Sequence, residues 1–180
     1  MEFDILYAIQ NLHNPVLDNI ILVIMQITGD YGHLWIALGV LFLIFRKTRK
    51  CGIAILSSYV LVFAVGQFVL KDLIARPRPC HIDETIELLV ARPSSFSCPS
   101  THSAWAFAAA TSIFCYFKKP GIIAFVFAAF VAFGRMYLFV HFPTDVLLGI
   151  AMGVGFAILS WFVIGKISAK IASRRDCRAV

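Results

Sequence analysis

Charged residues are scarce in this chain. They make up 14% of its 180 residues, whereas hydrophobic residues make up 60%, and the mean hydropathy is +0.84. A soluble domain would carry about 25% charged residues. The shortage excludes an ordinary soluble domain and indicates a polytopic membrane protein.

Alternation of polar and apolar residues is also lacking. A transmembrane barrel needs that alternation along every strand, but the apolar runs here are continuous. Because a segment in lipid must satisfy its backbone hydrogen bonds internally, the remaining solution is the helix. We predict an all-α membrane bundle formed by a single domain, residues 1–180, whose membrane core covers residues 31–166.

Several functional classes are excluded by what is missing. The five cysteines include no CxxC pair, which argues against a zinc site, and we expect neither a metal nor a cofactor. The net charge of +6 comes from cations beside apolar runs, without a nucleic-acid-reading module, so nucleic acid is excluded as a partner. A basic start and a small-residue cleavage site are absent, so we expect no cleaved leader.

Five apolar runs predict five membrane spans. They cover residues 31–45, 51–70, 101–117, 122–138 and 143–165. A proline-rich loop is expected over residues 76–100, and a tight turn at Lys118-Lys119-Pro120-Gly121. Residues 1–30 predict two interfacial helices lying on the membrane. The alternative makes residues 16–29 a sixth span.

Lys and Arg are absent from the first 45 residues. With five alternating spans, the basic residues at 46–50 and 118–119 and the basic tail expected over 167–180 share one side of the membrane. The positive-inside rule places that side in the cytoplasm. The loop over 71–100 and the turn at 139–143 then face outward from the cell membrane.

Two cations follow the second span. Lys71 lies at the end of the span, and Arg78 is held between Pro77 and Pro79. Prolines restrict their own backbone and that of the preceding residue, so Arg78 is a rigid fork suited to phosphate. The alternative is a pair of snorkelling cations at the membrane surface.

The segment Ser100-Thr101-His102 opens the next span. Ser100 is expected at the N-cap position of the helix, and a helix N-terminus offers free N–H groups to phosphate. The alternative is a plain capping sequence, which leaves His102 unexplained.

The third cluster lies between the last two spans and contains Arg135, His141 and Asp145. Pro143 suits the first position of the last helix, which puts Asp145 in its first turn. Asp145 could then accept a hydrogen bond from one imidazole nitrogen of His141 and leave the other free to attack. The alternative is a structural His–Asp pair that ties two helices together.

The three clusters together suit a phosphoryl group. The cations would hold its oxygens and stabilise the transition state. One histidine would attack phosphorus, and the other would protonate the leaving oxygen. No group of several carboxylates accompanies them, which argues against a two-metal mechanism.

The ordered segments Lys71-x6-Arg78-Pro79, Pro99-Ser100-Thr101-His102 and Arg135-x5-His141-x3-Asp145 resemble the signature of the type 2 phosphatidic acid phosphatases. That superfamily also includes bacterial acid phosphatases and haloperoxidases. The resemblance implies a metal-independent reaction through a phosphohistidine. His141 would be the nucleophile, Asp145 its orienting group and His102 the general acid and then base. Phosphate would be bound by Lys71, Arg78, Ser100, Arg135 and backbone N–H groups near Thr101.

Two positions depart from the pattern of this family. Thr101 stands where the family usually has Gly, and Gly134 where it often has Ser. The small form of the chain resembles bacterial enzymes acting on undecaprenyl pyrophosphate, which we favour, or on phosphatidylglycerol phosphate or phosphatidic acid. A non-catalytic lipid-phosphate binding protein or transporter is the alternative from another class.

Cys80 and Cys98 both fall on the predicted outer loop. An oxidising compartment would permit a disulfide between them. Two free thiols are the alternative.

Overall fold

The computed structural model describes residues 1–176, and side chains up to residue 174. This part of the chain contains nine α-helices and no strand, which confirms the all-α prediction. The helices are α1 (Glu2–Gln10), α2 (Pro15–Thr28), α3 (His33–Ile44), α4 (Arg49–Leu61), α5 (Lys71–Ile74), α6 (Pro79–Ile82), α7 (Thr101–Tyr116), α8 (Lys118–Tyr137) and α9 (Pro143–Asp176). A π-helical segment, Val62–Leu70, joins α4 to α5.

Three helical stretches are long and apolar enough to cross a membrane: Arg49–Ile82, Lys118–Tyr137 and Pro143–Arg174. Helices α2 and α3 would form a fourth span if they are taken together, with a bend of 52° between them. Helix α7 has 16 residues, fewer than the roughly 20 that a span requires. The prediction of a helical membrane protein is confirmed, and length and composition identify three to four spans among the described residues.

Helix α7 is the centre of the bundle, since 11 of its 16 residues are buried. It packs against α4, α8 and α9. Contact with α9 is close because two glycines face it: a Cβ atom at Gly149 would lie 2.4 Å from the carbonyl oxygen of Ser100, and one at Gly153 would lie 2.2 Å from that of Ala104. Small residues allow helices in a membrane to approach in this way. The contact holds the N-terminal end of α7 against α9, and the Ser100 N–H donates to the carbonyl oxygen of Asp145, in the first turn of α9, at 3.0 Å.

The two helices predicted in residues 1–30 are present and pack on one end of the bundle. Asn14 caps α2 by accepting a hydrogen bond from the Leu17 N–H at 3.0 Å. The buried side chains of Leu6 on α1 and Ile21 on α2 join an apolar cluster with Phe139 and its neighbours. These helices therefore cover the connection between α8 and α9.

One sequence-based boundary is wrong. The tight turn expected at Lys118-Lys119-Pro120-Gly121 is absent: α8 begins at Lys118, and only Phe117 separates it from α7. Pro120 lies in the first turn of α8, where backbone N–H groups have no partner within the helix, so a proline is tolerated. The basic tail expected over residues 167–180 is helical as far as Asp176, where it continues α9, and residues 177–180 lie outside the described part.

Candidate active site

The three sequence clusters meet at a cavity of about 560 Å³ at one end of the bundle, called here the site cavity. Six of the eight predicted site residues line it: Lys71, Arg78, Thr101, His102, Arg135 and His141. The other two, Ser100 and Asp145, are fully buried and do not line the cavity.

Helix ends place these side chains. His102 is the second residue of α7, Arg135 lies in the last turn of α8, and His141 belongs to the connection between α8 and α9. Lys71 follows directly after the π-helical segment, a type of distortion that is frequent at functional sites. Because neighbouring helices run in opposite directions, these starts and ends meet at the same end of the bundle.

Arg78 is held on three sides. Its Nε donates to the Ser95 carbonyl oxygen at 2.7 Å, its Nη2 to Ser95 Oγ at 3.0 Å, and its Nη1 to the Val140 carbonyl oxygen at 2.8 Å. Lys71 Nζ donates to the same Ser95 Oγ at 3.2 Å. Ser95 thus joins two of the predicted phosphate-binding cations, a role that sequence reasoning missed.

His141 is 1% exposed and contacts the guanidinium of Arg78, whose Nη1 lies 3.2 Å from His141 Nε2. Burial lowers the pKa of His141 below its ordinary value, and the cations Arg78 and Arg135 add to the effect while Asp145 opposes it. The imidazole is therefore neutral at neutral pH. A neutral imidazole that lines a cationic cavity is suited to attack an electrophile.

Asp145 is held by donors on both oxygens. Its Oδ1 accepts from Arg76 Nη1 at 2.7 Å, and its Oδ2 accepts from the Phe142 N–H at 2.9 Å and from Ser97 Oγ at 2.5 Å. The distance from Asp145 Oδ2 to His141 Nδ1 is 3.8 Å, which is longer than a hydrogen bond. The predicted pair is adjacent, but the direct hydrogen bond expected between its members is not formed.

Arg76 also links Asp145 to the start of the chain. Its Nη2 lies 2.5 Å from Glu2 Oε2, and Glu2 Oε1 accepts from Thr144 Oγ1 at 2.7 Å. The guanidinium stacks over the Phe142 ring, 4.0 Å from its centre. Helix α1 is therefore tied to the carboxylate that neighbours His141, and the sequence contains no pattern that would have revealed this.

Arg135 is a buried cation with few partners. Its side chain is 9% exposed, its Nη1 contacts Met25 Sδ at 3.7 Å, and its Nε has no hydrogen-bond partner. None of the salt bridges among the described side chains includes Arg135. A buried charge without a partner is costly, so this guanidinium is free to receive an anion from the cavity.

Ser100 takes the predicted N-cap position of α7, but its side chain does not cap the helix. Its Oγ lies 2.9 Å from Ser103 Oγ. Its N–H donates to the Asp145 carbonyl oxygen at 3.0 Å. Ser100 thus connects α7 to α9 behind the wall of the site cavity.

The structure accommodates both departures from the family pattern. The methyl group of Thr101 faces Gly66, where a Cβ atom would lie 3.4 Å from it. A Cβ atom at Gly134 would lie 3.0 Å from Met25 Cε. Gly134 therefore leaves room for Met25, the residue that contacts Arg135.

Cys80 and Cys98 are buried, free thiols, which agrees with the second of the two alternatives for this pair. Burial raises the pKa of the Cys98 thiol to about 11, and the neighbouring Asp145 adds to the shift. Among the described residues, no group of three or more His, Cys, Asp or Glu side chains is placed to hold a metal ion.

The class of protein that this fold and this site define is that of the membrane phosphatases. Residues 48–168 match the model of the PAP2 superfamily. The chain belongs to the PAP2 superfamily, which confirms the resemblance found in the sequence.

The names of similar proteins are consistent with membership of this superfamily. The chain is 32% identical over 140 residues to an undecaprenyl-diphosphatase of Sulfolobus acidocaldarius, covering 76% of this chain and 68% of that protein. Its fold is similar to LpxE of Aquifex aeolicus, with a TM-score of 0.72 and 30% identity over 88% of this chain and 93% of that one. It is also similar to a PAP2-type phosphatidylglycerolphosphate phosphatase of Bacillus subtilis, with a TM-score of 0.71 and 30% identity over 93% and 84% of the two chains. The prediction of a membrane lipid phosphate phosphatase is confirmed.

Proposed function

We propose that this protein removes the terminal phosphate of a polyprenyl diphosphate, undecaprenyl pyrophosphate, through a phosphohistidine at His141. The observation that carries the proposal is the buried imidazole of His141 at a cavity lined by Lys71, Arg78 and Arg135. Binding a phosphate would require the cations alone. A nucleophile held among them supports catalysis over a purely binding or transporting role.

The reaction has two displacement steps. In the first, the lone pair of His141 Nε2 forms a bond to the terminal phosphorus, and the bond from phosphorus to the bridging oxygen breaks. His102, as an imidazolium in the substrate complex, gives its proton to that leaving oxygen and becomes neutral. In the second, His102 takes a proton from water, the water oxygen attacks phosphorus, and the P–N bond breaks to release inorganic phosphate and restore His141.

The cations act mainly on the transition state. Arg78 Nη1 lies 3.2 Å from His141 Nε2, and a bound phosphate oxygen would take over that donor. Because Ser95 accepts from Nε and Nη2, and the Val140 carbonyl oxygen accepts from Nη1 itself, Arg78 needs no large rearrangement to do so. Donors fixed in advance stabilise developing negative charge without a cost of reorganisation.

The choice of lipid is supported by the relative named an undecaprenyl-diphosphatase. One relative of known structure is named a phosphatidylglycerolphosphate phosphatase. Phosphatidylglycerol phosphate and phosphatidic acid, the other two lipids that the sequence resemblance suggests, are the alternative substrates. In each case the head group would enter the site cavity while the tails stay in the bilayer. A site at the end of the helical bundle suits such a substrate.

The proposal includes five spans: α3, α4 with the π-helical segment, α7, α8 and α9. The central position of α7, with 11 of 16 residues buried, supports a short span shielded from lipid. Helices α1 and α2 would lie on the surface at the site end, since Asp18 and Met25 of α2 contact Tyr137 and Arg135 near the end of α8.

The opposite end of the bundle, called here the basic end, contains Arg46, Lys50, Lys118 and Lys119. The positive-inside rule would place it and the C-terminus in the cytoplasm, and the site cavity outside. We expect a membrane-impermeant thiol reagent to label Lys47→Cys only in inverted vesicles. Labelling of Lys47→Cys in intact cells would show that the proposed orientation is wrong.

The activity is tested by phosphate release from purified lipids in detergent with EDTA, comparing wild type with His141→Ala. The matched control is His81→Ala, since His81 is exposed and does not line the site cavity. We expect release that resists EDTA, vanishes in His141→Ala and persists in His81→Ala, with undecaprenyl pyrophosphate ranked above the other two lipids. Release by His141→Ala at the wild-type rate would refute the phosphohistidine, and a different ranking would change the substrate.

A further inference from the structure

Ser97 lies between the two members of the predicted His–Asp pair. Its Oγ is 2.5 Å from Asp145 Oδ2 and 3.4 Å from His141 Nδ1, whereas the direct distance between those two atoms is 3.8 Å. We propose that Ser97 is a positioning residue that connects the carboxylate of Asp145 to the imidazole of His141. This inference rests on the proposed function and adds a residue outside the three motifs.

The direction of the hydrogen bonds follows from Arg78. A guanidinium has only donors, so the Nη1 group that lies 3.2 Å from His141 Nε2 must donate to the lone pair of that nitrogen. In a neutral imidazole the proton is then on Nδ1. Ser97 Oγ accepts from this Nδ1–H, and its own hydroxyl proton is donated to Asp145, which as a carboxylate can only accept.

Other contacts of Ser97 hold its hydroxyl in place. The residue is 0% exposed, and its backbone N–H donates to the Arg76 carbonyl oxygen at 2.8 Å. Arg76 itself binds the other oxygen of Asp145. Ser97 is nevertheless the donor to Asp145 that also reaches the imidazole, since neither Arg76 nor the Phe142 N–H, the other donors to this carboxylate, hydrogen-bonds to the ring.

This connection has a role in the chemical step. When Nε2 bonds to phosphorus, the ring keeps its Nδ1 proton and becomes a cation. The positive charge is stabilised by the carboxylate through the Ser97 hydroxyl, and the same contact keeps Nε2 directed at the site cavity. Without the hydroxyl, the ring would lose its partner on the Nδ1 side while the cations that bind phosphate stay in place.

The test is Ser97→Ala, assayed for phosphate binding and for the rate of phosphohistidine formation in a single turnover. We expect the rate to fall about 10- to 100-fold, by analogy with the hydrogen-bond partners that orient metal-ligating histidines, with inorganic phosphate binding unchanged. Ser97→Thr keeps the hydroxyl and should recover most of the rate. The matched control is Ser112→Ala, because Ser112 is equally buried and its Oγ has no partner.

A wild-type rate in Ser97→Ala would overturn the proposal, and so would an equal loss in Ser112→Ala. Loss of phosphate binding in parallel with the rate would also overturn it, since that indicates a structural role. Nitrogen-15 NMR of labelled histidines in the wild-type protein supplies a readout that does not depend on folding of the Ser97 variants. The His141 signal is assigned as the one that is lost in His141→Ala. It should show a proton on Nδ1, and a proton on Nε2 would contradict the inference. Retained activity in His141→Ala would instead refute the proposed function, so the two failures are distinct.

Discussion

Replacement of Arg76 by alanine should cause a large loss of stability, because it leaves a buried carboxylate without its cation. Asp145 is 0% exposed, and Arg76 Nη1 lies 2.7 Å from its Oδ1. Removing one partner of a buried ion pair costs about 3–5 kcal/mol. The Arg76 side chain is 27% exposed, so water can partly replace it at Oδ1, and we expect a loss near the lower limit of that range.

The assay is unfolding in detergent micelles with SDS as denaturant. Arg46→Ala is the matched control, since Arg46 is exposed at the basic end and surface substitutions change stability by less than about 0.5 kcal/mol. Combining Arg76→Ala with Glu2→Gln separates the two contacts of the guanidinium. The double variant should lose less free energy of unfolding than the two single variants together. In Arg76→Ala the ion pair with Glu2 is already broken, so Glu2→Gln cannot remove it a second time.

A loss below about 1 kcal/mol in Arg76→Ala, similar to an exposed ion pair, would refute this reasoning. It would mean that Ser97 and the Phe142 N–H satisfy Asp145 without help from the cation. Loss of activity without loss of stability would likewise contradict the structural contribution assigned to Arg76.

Two further predictions concern packing and pH. Gly153→Ala should lower stability by about 1–3 kcal/mol through overpacking, since its Cβ would lie 2.2 Å from the Ala104 carbonyl oxygen. The control is Gly155→Ala, whose Cβ would have nothing within 4 Å and which should change stability by no more than about 1 kcal/mol. Equal effects of the two variants in SDS unfolding would contradict the close contact. Burial raises the pKa of Glu2, but hydrogen bonds from Thr144 and Arg76 outweigh this effect and bring the pKa below its ordinary value. The charge therefore stabilises the fold above the ordinary carboxyl pKa, and this contribution is lost as pH falls through the folded-state value. Glu2→Gln should lower stability by up to about 1 kcal/mol at pH 7 and by nothing in strong acid. A difference in melting temperature between wild type and Glu2→Gln that stays constant with pH would refute this.

Lys71, Arg78, Arg135, His102 and His141 could be predicted as site residues because charged and imidazole side chains are conspicuous beside apolar runs. The residues that hold them could not. Ser95 and Ser97 lie in a loop rich in serine and proline, where a serine carries no pattern. In the sequence, Arg76 is only a cation in a loop predicted to face outward, where few cations are expected. Its contacts with Asp145 and Glu2 join residues far apart in the chain and cannot be predicted from their spacing.

The helical bundle followed from hydropathy, but details of its backbone did not. The apolar run 51–70 is equally consistent with α- and π-helical hydrogen bonding, so the segment Val62–Leu70 carries no distinct sequence pattern. Lys118-Lys119-Pro120-Gly121 has the composition of a turn. It is helical because Pro120 falls in the first turn of α8, and because Gly121 allows contact with Phe114: a Cβ atom there would lie 2.3 Å from Phe114 Cα.

The length of α9 has a practical consequence for imaging this small protein of 20.0 kDa. Its 34 residues correspond to about 51 Å at 1.5 Å per residue, whereas the hydrocarbon core of a bilayer is about 30 Å thick. A span that begins at the first turn of α9 would leave roughly 20 Å of helix beyond the lipid at the basic end. A helical domain fused in register to this rod would be held rigidly and could serve as a fiducial for electron cryomicroscopy, far from the site cavity.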